Sequence, residues 1–113
     1  MSSLELDTIY NEDCLATMSR MDDASVQLVL TSPPYDNLRD YEGYTFDFEK
    51  TAAELTRVLD PNGILVWVVG DATIKGSETG SSFRQALHFM SLGLKLHDTM
   101  IYEKNSPAYP ASA

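Results

Sequence analysis

Residues 26–30 read Val-Gln-Leu-Val-Leu and run straight into Thr31-Ser32-Pro33-Pro34-Tyr35, and this junction restricts the fold more than any other feature of the chain. A short, nearly continuous apolar run bounded by a turn signal is a strand of the kind buried on both faces. The proline pair ends it. Each ring fixes φ and removes a donor, and the residue before a proline avoids the helical region, so neither a central strand nor a helix continues. The sequence therefore sets a stiff turn at the carboxyl end of a buried strand.

Around that junction strand-like and helix-like segments alternate. Residues 6–10 read as a short strand, and Asn11-Glu12-Asp13 as a turn able to cap a helix over about residues 15–21. Residues 36–45 are polar and tyrosine-rich, an exposed loop, whereas residues 46–59 have helical apolar spacing that Asp60-Pro61-Asn62-Gly63 stops. Residues 64–69 form a second fully apolar run, ending at Gly70-Asp71, and residues 72–82 read as a loop. A helix over residues 83–92 closes at Gly93, a last strand spans 94–103, and 105–113 look like a linker or a cut end. This order predicts an α/β layer fold, a mostly parallel sheet with helices on its faces and right-handed crossovers. Ligands of open sheets bind beyond the carboxyl ends of the strands, where the loops 32–45 and 70–80 emerge. A chain of 113 residues is one domain; residues 1–104 are expected to form it and 105–113 a tail.

Charge and cysteine content narrow the function. The net charge is -9, and residues 1–60 hold thirteen acids and four bases while 61–113 hold four of each. An acidic surface repels phosphates, which argues against the chain binding nucleic acid by itself. A single cysteine, Cys14, excludes an internal disulfide and reads as a small buried hydrophobe; with only His88 and His97 besides, no metal cluster is expected. The N-terminus lacks a basic region followed by an apolar run, and no stretch approaches 18 apolar residues, so a soluble cytoplasmic protein without a membrane anchor is expected.

The proline turn has a chemical reading. The carbonyls of Ser32 and Pro33 would face outward from a rigid frame without competing donors. An exocyclic base amine is a weak nucleophile because its lone pair is delocalised into the ring. Acceptors such as Ser32 Oγ and the Pro33 carbonyl, holding its N–H groups out of plane, would localise that pair toward an electrophilic methyl group. Tyr35 could stack on the base once it has left the duplex, offsetting part of the unstacking cost with about 1–3 kcal/mol. A plain rigid loop, or a ligand for a small proline-binding domain, is the ordinary alternative. Proline-rich ligands occupy solvated extended segments, whereas this turn follows a buried run.

The segment from Asp23 to Tyr35 resembles the catalytic stretch of the S-adenosylmethionine-dependent DNA amino-methyltransferases that modify cytosine N4 or adenine N6, whose tetrapeptide is Asp-, Asn- or Ser-Pro-Pro-Tyr. The serine form is more typical of the cytosine-N4 enzymes. Tyr10-Asn11-Glu12-Asp13-Cys14 resembles the Gly-Asp-Cys turn that opens members of the permuted type, with Glu12 where glycine is usual. Leu59-Asp60-Pro61-Asn62-Gly63 resembles their Leu-Lys-Pro-Gly-Gly turn, and Tyr102-Glu103-Lys104-Asn105-Ser106-Pro107 their Trp-x-Lys-x-Asn-Pro stretch. The resemblance covers about residues 9–107 in one order. It implies a partial Rossmann-like methyltransferase fold, catalysis by Ser32, Pro33, Pro34 and Tyr35, cofactor contacts from Asp13 and Thr31, and DNA as the partner. The carboxylate of Asp13 would accept from the cofactor's adenine amine, and a helix N-cap is its other reading.

The family's Phe-x-Gly-x-Gly cofactor turn does not occur within these 113 residues, and Gly76 and Gly80 read as part of a flexible loop. The expectation is therefore a catalytic-turn fragment with weak cofactor affinity, needing a complementing C-terminal half. A non-catalytic remnant acting as a homodimer or interaction module is the rival, because unpaired strand edges template association. Methylation of a protein glutamine amide is a third reading, against which Ser32 counts, asparagine being usual there. Asp71 is read either as a substrate-positioning group or as a turn cap. Arg39, Tyr41 and Tyr44 are read as phosphate and stacking contacts to DNA or as solvated loop residues. Trp67 is expected in the core and His88 as a packed or surface histidine.

Overall fold

The computed structural model describes residues 4–34, 46–101 and 103. The elements run α1 (Cys14–Met18), β1 (Val26–Thr31), α2 (Phe48–Val58), β2 (Leu59–Trp67), β3 (Thr73–Ile74), β4 (Ser77–Glu78) and α3 (Ser81–Ser91). β1 and β2 pair in parallel, with Leu28 opposite Ile64 and Thr31 opposite Trp67. Since α2 connects them, this is a strand–helix–strand crossover, the unit expected of an α/β fold.

Local chemistry accounts for each helix. Asp13 Oδ1 accepts from the Leu15 N–H at 3.0 Å and starts α1. Asp47 Oδ1 accepts from the Lys50 N–H at 3.1 Å and starts α2, with Glu49 in its first turn and Arg57 in its last, both matched to the helix dipole. Ahead of α3 stands Gly80 in the left-handed region at φ 74°, and the helix closes into Gly93 at φ 106°.

The core lies on one face of the sheet. Met18 of α1, Ala52, Leu55 and Val58 of α2, and Phe89 of α3 are buried together against Val26, Val29, Leu65 and Trp67. The rings of Phe48, Trp67 and Phe89 meet edge to face, with centroids 5.0–5.8 Å apart, a spacing favoured by their quadrupoles. His88 packs on Phe48 in the same manner, as a packed histidine should. Arg57 ties the layers together by donating to the carbonyls of Met18 and Met21 and to the carboxylates of Asp23 and Glu54.

Several sequence expectations need correction. Residues 6–10 are not a strand: Asp7 takes φ 57°, the Tyr10 hydroxyl closes back on the Glu5 backbone, and Leu6 and Ile9 are exposed. Residues 94–101 form no strand either, and Leu96, Met100 and Ile101 face water. In both cases the apolar alternation finds no strand edge among the described residues. The runs at 26–30 and 64–69 are buried on one face only, for Leu28, Leu30 and Ile64 are 59%, 68% and 62% exposed; among the described residues the helices share a single face rather than covering both.

β2 begins at Leu59 instead of Ile64, so the Asp60–Gly63 turn is an excursion within the strand, held by Asn62 N–H donating to Asp60 Oδ1. Residues 72–82, read as a loop, contain the β3–β4 hairpin and the first residues of α3. Residues 35–45 and the 105–113 tail lie outside the described residues.

Candidate active site

At the carboxyl end of β1 a cleft of about 280 Å³ opens between the proline turn and the helices. One wall is the continuous run Thr31, Ser32, Pro33 and Pro34; the other is Cys14 and Met18 of α1 with Thr51 and Leu55 of α2. Phe46, Val29 and Trp67 complete the lining. The parallel register explains why a β2 residue is there, because Thr31 and Trp67 are partners at the ends of their strands. Pro33 is buried, Pro34 half-buried and Ser32 exposed, so the turn is seated by its first proline and presents its serine. Among the described residues no charged side chain lines the cleft.

The α1 side carries the polar groups. Asp13 directly precedes Cys14, and its Oδ1 is engaged by the Leu15 N–H. Thus its capping role is realised, while Oδ2 has no partner among the hydrogen bonds described. Cys14, expected to be buried, is exposed. Its thiol pKa is nonetheless raised above the ordinary 9.0, chiefly by partial desolvation and then by the Asp13 carboxylate, with the Thr51 hydroxyl opposing. Glu12, the departure from the glycine expected at this turn, accepts from the Thr17 hydroxyl and from Arg20 at 2.9 Å. These bonds fasten the turn to α1 and hold the Glu12 carboxyl below its usual range, Thr17 contributing most.

Asp71 lies elsewhere. Its two oxygens accept the Ser82 N–H at 2.8 Å and the Ser82 hydroxyl at 3.0 Å, so it caps α3 from a distance and does not line the cleft. Trp67 is both core and site, since it packs on Phe48 and Phe89 and borders the cleft. Tyr35, Arg39, Tyr41 and Tyr44 fall outside the described residues. Of the residues singled out from sequence, the structure gathers Thr31, Ser32, Pro33 and Pro34 into one concavity, with Asp13 one residue from its wall. Cys14, Met18, Phe46, Thr51 and Leu55 were not foreseen as lining. Thr51 carried a readable signal, a buried polar residue on the apolar stripe of α2, its hydroxyl donating to the Asp47 carbonyl. Among the described residues no group of acidic, histidine and cysteine side chains is placed to hold a metal ion, and no helix is long and apolar enough to cross a membrane.

The sequence pattern of a family described as DNA methylase, of the N6/N4 kind, matches residues 26–113. The orphan methyltransferase M.BamHII of Bacillus amyloliquefaciens is 65% identical over 88 residues, 78% of this chain and 33% of that protein. The type II methyltransferase M.BglII of Bacillus subtilis is 37% identical over 71 residues, 58% of this chain and 20% of that protein. The chain thus spans about a third or less of the length of these relatives. No solved structure matches it.

Proposed function

We propose, from the premise that this chain belongs to the DNA methylase family, that it carries the catalytic-turn part of an enzyme transferring a methyl group from S-adenosylmethionine to an exocyclic amine of a DNA base. The observation that carries the reading is the cleft at the carboxyl end of β1, walled by Thr31, Ser32, Pro33 and Pro34. The β1–α2–β2 crossover is then a piece of a Rossmann-like methyltransferase fold. Cytosine N4 is preferred over adenine N6 because the turn opens with Ser32, the form the resemblance associates with the cytosine enzymes.

The cofactor fits this lining in part. A site for a drug-sized ligand usually holds about 300–1,000 Å³, and the 280 Å³ here suits a nucleoside or a single base. Apolar walls with Met18, Phe46 and Trp67 accept ring faces and a thioether, and Asp13 stands at the edge with an oxygen able to accept from an adenine amine. The ammonium and carboxylate of a methionine end meet no charged residue of the cleft among the described residues.

When bound, the cofactor supplies an electrophilic methyl group on its sulfonium. The chain's own part is placement. Ser32 and the Pro33 carbonyl accept from the two N–H groups of the target amine, raising the electron density on nitrogen. Tyr35 stacks on a base that has left the duplex, and the apolar lining excludes water from the reacting atoms. Arg39 and Tyr44 contact the DNA flanking that base.

Calorimetric titration with S-adenosylhomocysteine tests the cofactor half. Asp13→Ser is the informative variant, since serine keeps the N-cap and loses the carboxylate. Heat in the native chain that this substitution removes supports a cofactor site within this chain; no heat at millimolar ligand sinks that half of the reading. A second reading, a non-catalytic remnant that pairs with its own copy, is favoured by the open sheet face of Leu28, Leu30 and Ile64, and a dimer by sedimentation without any cofactor heat would select it.

A further inference from the structure

Beyond β2 the chain builds a small projection whose construction the methyl-transfer site does not explain. β3 and β4 pair antiparallel, Thr73 with Glu78 and Ile74 with Ser77. Lys75 and Gly76 form the turn between them with φ 52° and 79°, the double left-handed geometry of a type I′ hairpin. A lysine in that conformation is strained, for the left-handed region costs a residue with a Cβ about 1–2 kcal/mol.

The ribbon is exposed on both strands, Ile74 remaining 55% accessible. Its root is the opposite: Ala72 is buried, the Thr79 N–H donates to the Ala72 carbonyl at 2.8 Å, and Arg84 donates to the Thr79 carbonyl at 2.6 Å. Asp71, one residue upstream, is pinned to Ser82 through both oxygens. The ribbon is thus firmly rooted while its tip stays exposed.

The topology says where. β1 and β2 are parallel, so their carboxyl ends coincide, and the hairpin leaves from the same end at which Thr31 and Ser32 open the cleft. Lys75 stands at the tip, and among the described residues no hydrogen bond or ion pair engages its ammonium. The one acid of the ribbon, Glu78, is at the root end of β4. The hairpin also belongs to the half of the chain in which acids and bases balance.

We infer that the hairpin spanning Thr73–Ile74 and Ser77–Glu78 is a DNA contact, with the Lys75 ammonium meeting a backbone phosphate of the duplex beside the target base. This rests on the methyltransferase reading for the identity of the partner. A two-stranded ribbon has the width to enter the major groove, and a tip lysine on a phosphate fixes register without reading sequence. The contact is therefore indifferent to sequence, and a probe of arbitrary sequence suffices.

Binding of the full chain to a fluorescein-labelled duplex, followed by anisotropy over a salt series, is the test. Each neutralised phosphate contributes about 0.9 to the slope of log K against log salt. Lys75→Ala is expected to reduce that slope by about one and Lys75→Arg to retain it. Equal slopes for the native chain and Lys75→Ala overturn the inference, and so does a native chain that fails to associate with the duplex at the lowest salt. The cofactor titration with Asp13→Ser is independent of the hairpin. A chain that binds S-adenosylhomocysteine yet fails here loses only the hairpin contact; one that binds DNA through Lys75 but gives no cofactor heat keeps it and loses the cofactor half of the methyl-transfer reading.

Discussion

Trp67 donates its indole N–H to the side-chain oxygen of Gln85 at 2.9 Å, joining the last residue of β2 to the second turn of α3. The bond orients a ring that has the core on one side and the cleft on the other. Gln85→Leu leaves the partly buried N–H without its acceptor and is expected to lower stability by about 1–2 kcal/mol. Urea unfolding followed by the emission of Trp67, the single tryptophan, measures this, with Gln85→Glu retaining most of the stability because it keeps an acceptor. An unaltered midpoint for Gln85→Leu would mean that water replaces the bond.

Gly63 closes the excursion within β2, and a Cβ there would stand 2.8 Å from Leu59 Cδ1 and 3.0 Å from the carbonyl oxygens of both Asp60 and Gln27. Backbone oxygens cannot rotate away. Gly63→Ala should therefore cost about 1–3 kcal/mol, as overpacking does. Gly76 offers the contrast, since a Cβ there meets nothing within 4 Å. Its cost should be limited to the strain of its positive φ, about 1 kcal/mol. Denaturant midpoints of the two variants compared with the native chain decide the order.

The Arg57 guanidinium, bonded to Glu54, holds that carboxyl below its ordinary 4.5 against a smaller opposing desolvation. A carboxyl lowered in the folded state stabilises fully above the unfolded value, and the contribution is lost as pH falls through the lowered folded one. Thermal midpoints recorded from neutral pH downward should thus fall below pH 4.5 in the native chain, and less steeply in Glu54→Gln. Equal acid limbs in the two proteins would assign the loss to other carboxylates. Arg57→Ala, which frees the Met18 and Met21 carbonyls as well, should lower the neutral-pH midpoint further than Glu54→Gln does.

Cys14 is exposed and yet its thiol is held protonated by desolvation and by the Asp13 carboxylate. Since the thiolate is the reactive form, iodoacetamide should modify it slowly at neutral pH, with a rate profile rising above 9.0. Asp13→Asn removes one cause and should move the profile down. Because Cys14 lines the cleft, a nucleoside bound there should slow modification in the native chain; full reactivity at neutral pH would contradict the desolvated setting.

The elements legible in the sequence were those with both a periodic apolar face and a chemical boundary marker. The N-cap positions of Asp47 and Gly80 emerge only from the structure, whereas α2 is stopped by the Asp60–Gly63 turn, α3 by Gly93, and β1 by its prolines. Asp13 was readable as a cap for the same reason. The two extra strands failed because alternation alone cannot create a pairing edge: residues 6–10 curl on the Tyr10 hydroxyl, and residues 94–101 run exposed. The β3–β4 hairpin escaped notice because strands of two residues carry no periodicity, although Lys75-Gly76 was a usable turn signal. At the candidate site the wall made by consecutive residues was readable. The wall contributed by α1, α2 and β2 depends on register and helix packing, which spacing along one chain does not encode.

Every rung between β1 and β2 joins positions about 35 residues apart, with α2 and the proline turn in between. A parallel pair cannot start from a tight turn and zip outward, so the whole intervening segment has to close before the first rung forms. The rate at which the cleft assembles is consequently governed by how early α2 becomes helical and docks. The walls of the site come into being in the same event as the sheet, and no folding intermediate that lacks this crossover can hold a preformed place for a base.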